Sequence, residues 1–193
     1  MSALQFPRPA ALLLIDLQQA IDHPKWTVDG ARNNPHAELA ASRLLGNWRE
    51  ISWPIFHIRH DSTEPQSPYR PGQPGHAFKA ETMPIASETV IGKRTNSAFI
   101  DTDLEQKLRD ADLDHLVICG VITNNSVEAS VRMAGNLGFR VDLAADACFT
   151  FGKRDLNGRL WSADDIHALS LANLQGEYAN ITTSAEILAA LGR

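Results

Sequence analysis

The stretch HLVICGVITNNSVEASVRMAGNLGFRVDLAAD, residues 115–146, decides how the chain folds. It opens on HLVIC, an apolar run over residues 115–119 that stops at Gly120. A continuous apolar run of that length suits a strand covered on both faces. Helical spacing follows over residues 123–137. Thr123 or Asn124 can cap its first turn, and Gly138 can close its last in the left-handed conformation. A second strand-like run, residues 139–145, ends near Asp146. Strand, helix and strand packed into about thirty residues make a parallel crossover unit.

The same alternation extends in both directions. Residues 10–15 are continuously apolar and end at Asp16. Residues 35–51 carry Leu39, Leu44, Leu45 and Trp48 at amphipathic helical spacing. A strand over residues 54–58 runs into Arg59, His60 and Asp61. Residues 62–75 form a long loop rich in Pro, Gly and Ser, and loops of that length are usually functional or mobile. A short strand over residues 89–91 delivers Gly92 and Lys93. Residues 101–112 read as a helix capped by Asp101 or Thr102, with Leu104 and Leu108 facing the core. A helix over 163–174, a strand over 180–183 and a helix over 185–191 complete the chain. The pattern predicts an α/β fold: a three-layer, doubly wound, Rossmann-like sheet of about six mainly parallel strands. No internal repeat or linker interrupts it, so residues 1–193 are expected to form a single domain, long enough for one sizeable core.

Composition narrows the function. The formal net charge is −5, which argues against nucleic acid and anionic membranes as partners. The two cysteines, Cys119 and Cys148, lack zinc or redox spacing and are expected to be buried thiols in a reducing cytoplasm. The start MSALQFPRPA lacks a signal-peptide pattern, and the apolar run at 10–15 is too short to span a bilayer. A small-molecule substrate remains the natural partner.

In doubly wound sheets ligands bind beyond the carboxyl ends of the strands, where strand order reverses. Asp16, Lys93 and the turn at 123–126 all lie just past predicted carboxyl ends. A carboxylate at the mouth of a buried strand needs a partner, and Lys93 is a natural one. Asp16 can equally be half of a structural ion pair or a helix cap. Ser126 falls in the first turn of a helix, where free N–H groups and the dipole stabilise an attacking anion and an oxyanion. Serine is also simply favoured near helix starts. His57 and His60 lie on opposite faces of a strand, so a shared metal is not expected, and no cofactor motif is present. Of the tryptophans, Trp26 and Trp161 lie in loop-like stretches and can line a pocket, whereas Trp48 and Trp53 belong to the core or an interface.

Three blocks carry a family resemblance. LLLIDLQQAI resembles the first strand of isochorismatase-like hydrolases, the cysteine hydrolase superfamily, with Asp16 on the catalytic aspartate. VIGKRTNSAF is similar to the segment bearing the family lysine, with Lys93 on it. The block that begins ICGVITNNSV resembles the nucleophile segment G-V-x-T-x-x-C-V, and Ser126 falls on the cysteine. The loop HIRHDSTEPQSPYRPGQPG also looks like the second-strand loop of the branch without nicotinamidase activity. The resemblance runs from about residue 10 to 180. It implies an isochorismatase-like fold, a catalytic set of Asp16, Lys93 and residue 126, and a non-proline cis peptide near 121–122. It further implies an oxyanion hole from the backbone N–H groups of Ile122 and Ser126, and a homo-oligomer, dimer or tetramer. Candidate substrate contacts are Gln18, Arg59, His60, Tyr69, Arg94, Thr123 and Asn125, with only one of Arg59 and His60 facing the site. No clean D-x-H follows the second strand, so the zinc of nicotinamidases is not expected.

Serine at 126 changes the chemistry that the resemblance implies. A thiol titrates near about 8.5, whereas a serine hydroxyl needs a stronger base at the moment of attack. Three functions follow. Ser126 attacks a small amide or ureido carbon, with Asp16 as base and Lys93 as electrostatic partner. Or Asp16 acts as a general acid on a vinyl ether, as in true isochorismatases that lack the cysteine, and the rate falls as rising pH ionises it. Or the pocket binds a small molecule without turning it over.

Overall fold

A computed structural model describes residues 4–192 of the chain. Strand β1 (Ala11–Ile15) is followed by helix α1 (Ala37–Glu50), β2 (Ile55–His60), β3 (Thr89–Lys93), α2 (Leu104–Asp110) and β4 (His115–Val121). Then come α3 (Glu128–Asn136), β5 (Arg140–Phe149), β6 (Lys153–Arg154), β7 (Leu160–Trp161), α4 (Ala163–Leu174), β8 (Asn180–Thr182) and α5 (Ser184–Ala190).

Six strands form one sheet in the order β3-β2-β1-β4-β5-β8, and every adjacent pair is parallel. The α/β expectation of a six-stranded parallel sheet is met. Chain order runs outward from β1 to β3 on one side and from β4 to β8 on the other. Right-handed crossovers therefore put α1 on one face and α3 and α4 on the opposite face. α5 packs beside α1, and α3 beside α4. β1 and β4 sit between these layers, and each of their residues is buried, which is why both read as unbroken apolar runs.

Several local expectations need correction. Leu39 is 51% exposed, and α1 instead buries Ala37, Ala41, Leu44, Leu45 and Trp48. α2 begins at Leu104 behind Asp103, because Asp101 takes φ 55° and Thr102 Oγ1 donates back to the Ala98 carbonyl. α3 begins at Glu128 behind a π-helical turn, Thr123–Val127. Neither Thr123 nor Asn124 caps it, because both side chains are engaged elsewhere. Gly138 does take a positive φ of 84°. β2 and β4 each run two residues beyond the expected ends, and β5 continues to Phe149 after a register shift opposite Ile118–Gly120. The antiparallel hairpin β6–β7 carries no periodic pattern long enough to be seen in the sequence. Cys119 and Cys148 are free and buried. Among the described residues no helix is long and apolar enough to cross a membrane.

Candidate active site

The strand order reverses between β1 and β4, so the crevice beyond their carboxyl ends is the natural ligand position. Asp16 follows β1 directly and turns out of the sheet at φ 52°, its N–H donating to the Ile58 carbonyl. The Thr123–Val127 turn follows β4 across a cis peptide between Val121 and Ile122. Lys93 ends the edge strand β3 and reaches over β2 to the crevice.

Lys93 Nζ lies 2.7 Å from Asp16 Oδ2 and 3.3 Å from Ser126 Oγ. It also donates to the Thr95 carbonyl at 3.1 Å and stands 3.4 Å from His60 Nδ1. The ammonium has three protons, so four near neighbours fully commit it. The Lys93 side chain is 0% exposed and that of Asp16 5%, so the pair is desolvated and each charge depends on the other. Among the described residues Asp16 Oδ1 is buried without a hydrogen-bond partner. One carboxylate oxygen thus holds the lysine, and the second is free to meet a proton.

The environment around this cluster is buried and aromatic. Burial lowers the pKa of His60, which favours neutral imidazole. The His60 ring meets Tyr69 edge-on at 5.7 Å. Burial, reinforced by the nearby charges of Asp16 and Asp22, pushes the Tyr69 hydroxyl well above its ordinary value. Tyr69 is therefore a proton donor rather than a phenolate.

Comparison with known proteins bears on what this arrangement is. Residues 10–186 match the family profile described as Isochorismatase domain. The chain belongs to the isochorismatase family. The Bacillus subtilis isochorismatase family protein YrdC is 40% identical over 178 residues, covering 92% of this chain and 94% of that protein. A streptothricin hydrolase of Streptomyces noursei is 31% identical over 154 residues, covering 78% of this chain and 61% of that enzyme. The crystal structure of an isochorismatase-family protein from Chromobacterium violaceum superposes with a TM-score of 0.95 at 60% identity, covering 100% of this chain and 98% of that one.

This member of the isochorismatase family brings some candidate residues together and leaves others apart. Asp16, Lys93, Ser126, His60 and Tyr69 converge. Gln18 is fully buried and spends its amide on backbone, accepting from the His60 N–H and donating to the His60 and His76 carbonyls. It fixes the end of β2 instead of facing a ligand. Arg59 points to the other side of the strand and pairs with Asp61, which His76 also holds at 2.7 Å. Arg94 lies exposed beyond β3. Thr123 Oγ1 is tied to His167 Nδ1 at 2.8 Å and is fully buried, so it braces the turn. Asn125 is exposed and lines a neighbouring cleft.

Sequence reasoning missed the supports of the turn. Asn34 Nδ2 donates to the Ala145 and Cys148 carbonyls, beside His167. Thr150 Oγ1 donates to Asn124 Oδ1, and Ser170 to Glu128. These residues come from distant segments with no common spacing, so only the fold reveals them.

Proposed function

We propose that this protein hydrolyses the C–N bond of a small amide or ureido compound through a covalent step at Ser126. The observation that carries this is the buried cluster in which Lys93 Nζ bridges Asp16 Oδ2 and Ser126 Oγ while Asp16 Oδ1 lacks a partner. Lysine donates to the serine oxygen, so the hydroxyl proton is free to point elsewhere. The unpartnered carboxylate oxygen is its natural acceptor. Ser126 Oγ then bonds to the carbonyl carbon, and its proton passes to Asp16. Collapse of the tetrahedral intermediate breaks the C–N bond, and Asp16 returns the proton to the departing amine or ammonia. Water attacks the acyl carbon and gives a proton to Asp16; the bond from that carbon to Ser126 Oγ then breaks, Asp16 returns the proton to Oγ, and the carboxylic acid leaves. Backbone N–H groups of Ile122 and Ser126 are the oxyanion donors in this scheme, and Lys93 offsets the charge on Asp16 and Oγ. The naming of a relative as a streptothricin hydrolase supports a hydrolytic reading.

One observation favours a second reading. An unpaired buried carboxyl oxygen is also where a proton can reside, which suits Asp16 as a general acid on an ether-like bond with no covalent step. Hydrolysis of small amides, ureido acids and vinyl ethers by the natural chain and by Ser126→Ala separates the two. Loss of turnover in Ser126→Ala supports the covalent route; equal turnover excludes it. A homo-oligomeric, cytoplasmic enzyme of one domain, using no metal or cofactor, completes the proposal.

A further inference from the structure

Lys93 and Ser126 reach the crevice from different parts of the fold, the lysine from the edge strand β3 and the serine from the turn before α3. Their side chains meet at 3.3 Å, beyond the usual span of a strong hydrogen bond, so that contact alone does not fix their separation. A second connection between the same two segments runs behind them, through Ser130 on α3.

Ser130 is 0% exposed. Its Oγ donates to the Ser126 carbonyl at 2.7 Å and accepts from the Ala98 N–H at 3.0 Å. A hydroxyl has one proton to give, and Ser130 spends it on the backbone of residue 126 itself. Its lone pair takes hold of the segment that follows β3. That segment is braced internally: Thr95 Oγ1 donates to the Ser97 carbonyl, Ser97 Oγ accepts from the Phe99 N–H, and Thr102 Oγ1 donates to the Ala98 carbonyl. Lys93 Nζ donates to the Thr95 carbonyl in the same segment. The contacts close a ring. It runs from Ser126 Oγ to Lys93 and Thr95, along the chain to Ala98, then through Ser130 back to the Ser126 carbonyl. The register pairs of β3 with β2 end at His60 and Lys93, so the Ser130 bond takes over where sheet pairing stops.

We infer that Ser130 is a positioning residue, which holds Ser126 and Lys93 at their working separation by tying α3 to the segment after β3. The inference rests on the reading of Ser126 as the nucleophile and adds the residue that aims it. Removing the hydroxyl strands the Ala98 N–H in the interior and frees the two halves of the site to drift apart. Ser130 itself has no exposed surface to offer a ligand, so its loss slows the chemical step and leaves binding alone.

The test places a thiol at the nucleophile position with Ser126→Cys and follows its alkylation by iodoacetamide across pH. Cys119 and Cys148 are buried, so the introduced thiol is the group that reports. Beside Lys93 it is expected to ionise below the ordinary value of about 8.5. Adding Ser130→Ala is expected to raise the midpoint by about one unit, as the lysine moves away. Adding Thr182→Val instead removes a buried hydroxyl on β8, at the opposite edge of the sheet, and is expected to leave the midpoint in place. A midpoint unmoved by Ser130→Ala, or moved as far by Thr182→Val, overturns the inference. With Ser126 in place, p-nitrophenyl acetate serves as substrate. Ser130→Ala is expected to lower kcat about tenfold with KM unchanged, and a loss confined to KM, or no loss, overturns the inference. If the natural chain and Ser126→Ala hydrolyse the ester equally, the covalent reading fails and the thiol titration alone decides Ser130. Should Ser130→Ala not fold, amide exchange in the natural chain decides. An Ala98 N–H that exchanges as slowly as those of α3 supports the tie, and one that exchanges about a hundredfold faster overturns it.

Discussion

Gly120 packs against Ile15 so tightly that a Cβ on it would lie 2.2 Å from the Ile15 carbonyl oxygen and 2.6 Å from its nitrogen. Gly120 also takes φ 131°, which side-chain-bearing residues rarely adopt. This contact lets β4 and β1 approach just before Asp16 and the Thr123–Val127 turn. Gly120→Ala is expected to cost about 3 kcal/mol by combining backbone strain with overpacking. Urea unfolding checks it; a midpoint equal to that of the natural chain would show that the strands can part freely.

Removing the lysine of the buried pair leaves a carboxylate without a counter-charge. Lys93→Met is expected to destabilise the fold by about 3–5 kcal/mol and to abolish turnover. Adding Asp16→Leu to it restores much of the stability, because the stranded charge is gone, but no activity. Denaturation of the single and double variants measures the coupling. Equal losses in both would mean that the 2.7 Å contact carries no energetic dependence between the two residues.

Substituting sulfur for oxygen tests the nucleophile by gain instead of loss. Ser126→Cys supplies a more acidic group to the same lysine and carboxylate, and it is expected to raise the rate about tenfold or more at neutral pH. A thiol-directed alkylating reagent should then block it and leave the natural chain untouched. A Ser126→Cys enzyme no faster than Ser126→Ala would place the reaction elsewhere.

Acid stability has an identifiable source away from the site. Burial alone would raise the Glu88 carboxyl, but hydrogen bonds from Arg49, the Ile85 N–H and His57 outweigh it and bring it down to about 2 from an ordinary 4.5. The folded state therefore holds this proton less tightly than the unfolded chain. The stabilisation is complete above pH 4.5 and is lost as pH falls toward 2. Glu88→Gln is expected to flatten the stability curve over that window while lowering stability near neutrality. Urea midpoints measured across pH read this directly, and parallel curves for the two proteins would contradict it.

Much of the architecture was legible because burial on both faces leaves a plain trace. β1 and β4 are buried throughout, so their sequences are unbroken apolar runs, and their ends pointed to Asp16 and the 123–126 turn. α4 has the bounds expected, Ala163–Leu174, and Ser162 caps its start by accepting from the Asp165 N–H. The turn before α3 was not, since Thr123 and Asn124 look like caps but bind His167 and Thr150 across the fold. Gln18, Arg59 and Arg94 looked like ligand contacts because polar residues near a strand end attract that interpretation. Only three-dimensional neighbours show that Gln18 serves the backbone and that Arg59 serves Asp61.

The cation of the cluster rides on β3, an edge strand, which among the described residues pairs with β2 alone. Edge elements open more readily than the centre of a sheet, and partial opening requires far less free energy than global unfolding. Fraying of β3 would withdraw Lys93 from Asp16 while leaving the central strands intact. Heat or denaturant should therefore silence the enzyme before its helices melt. Opening of the segment Thr89–Lys93, ahead of the central strands, is expected to set the upper limit on working conditions.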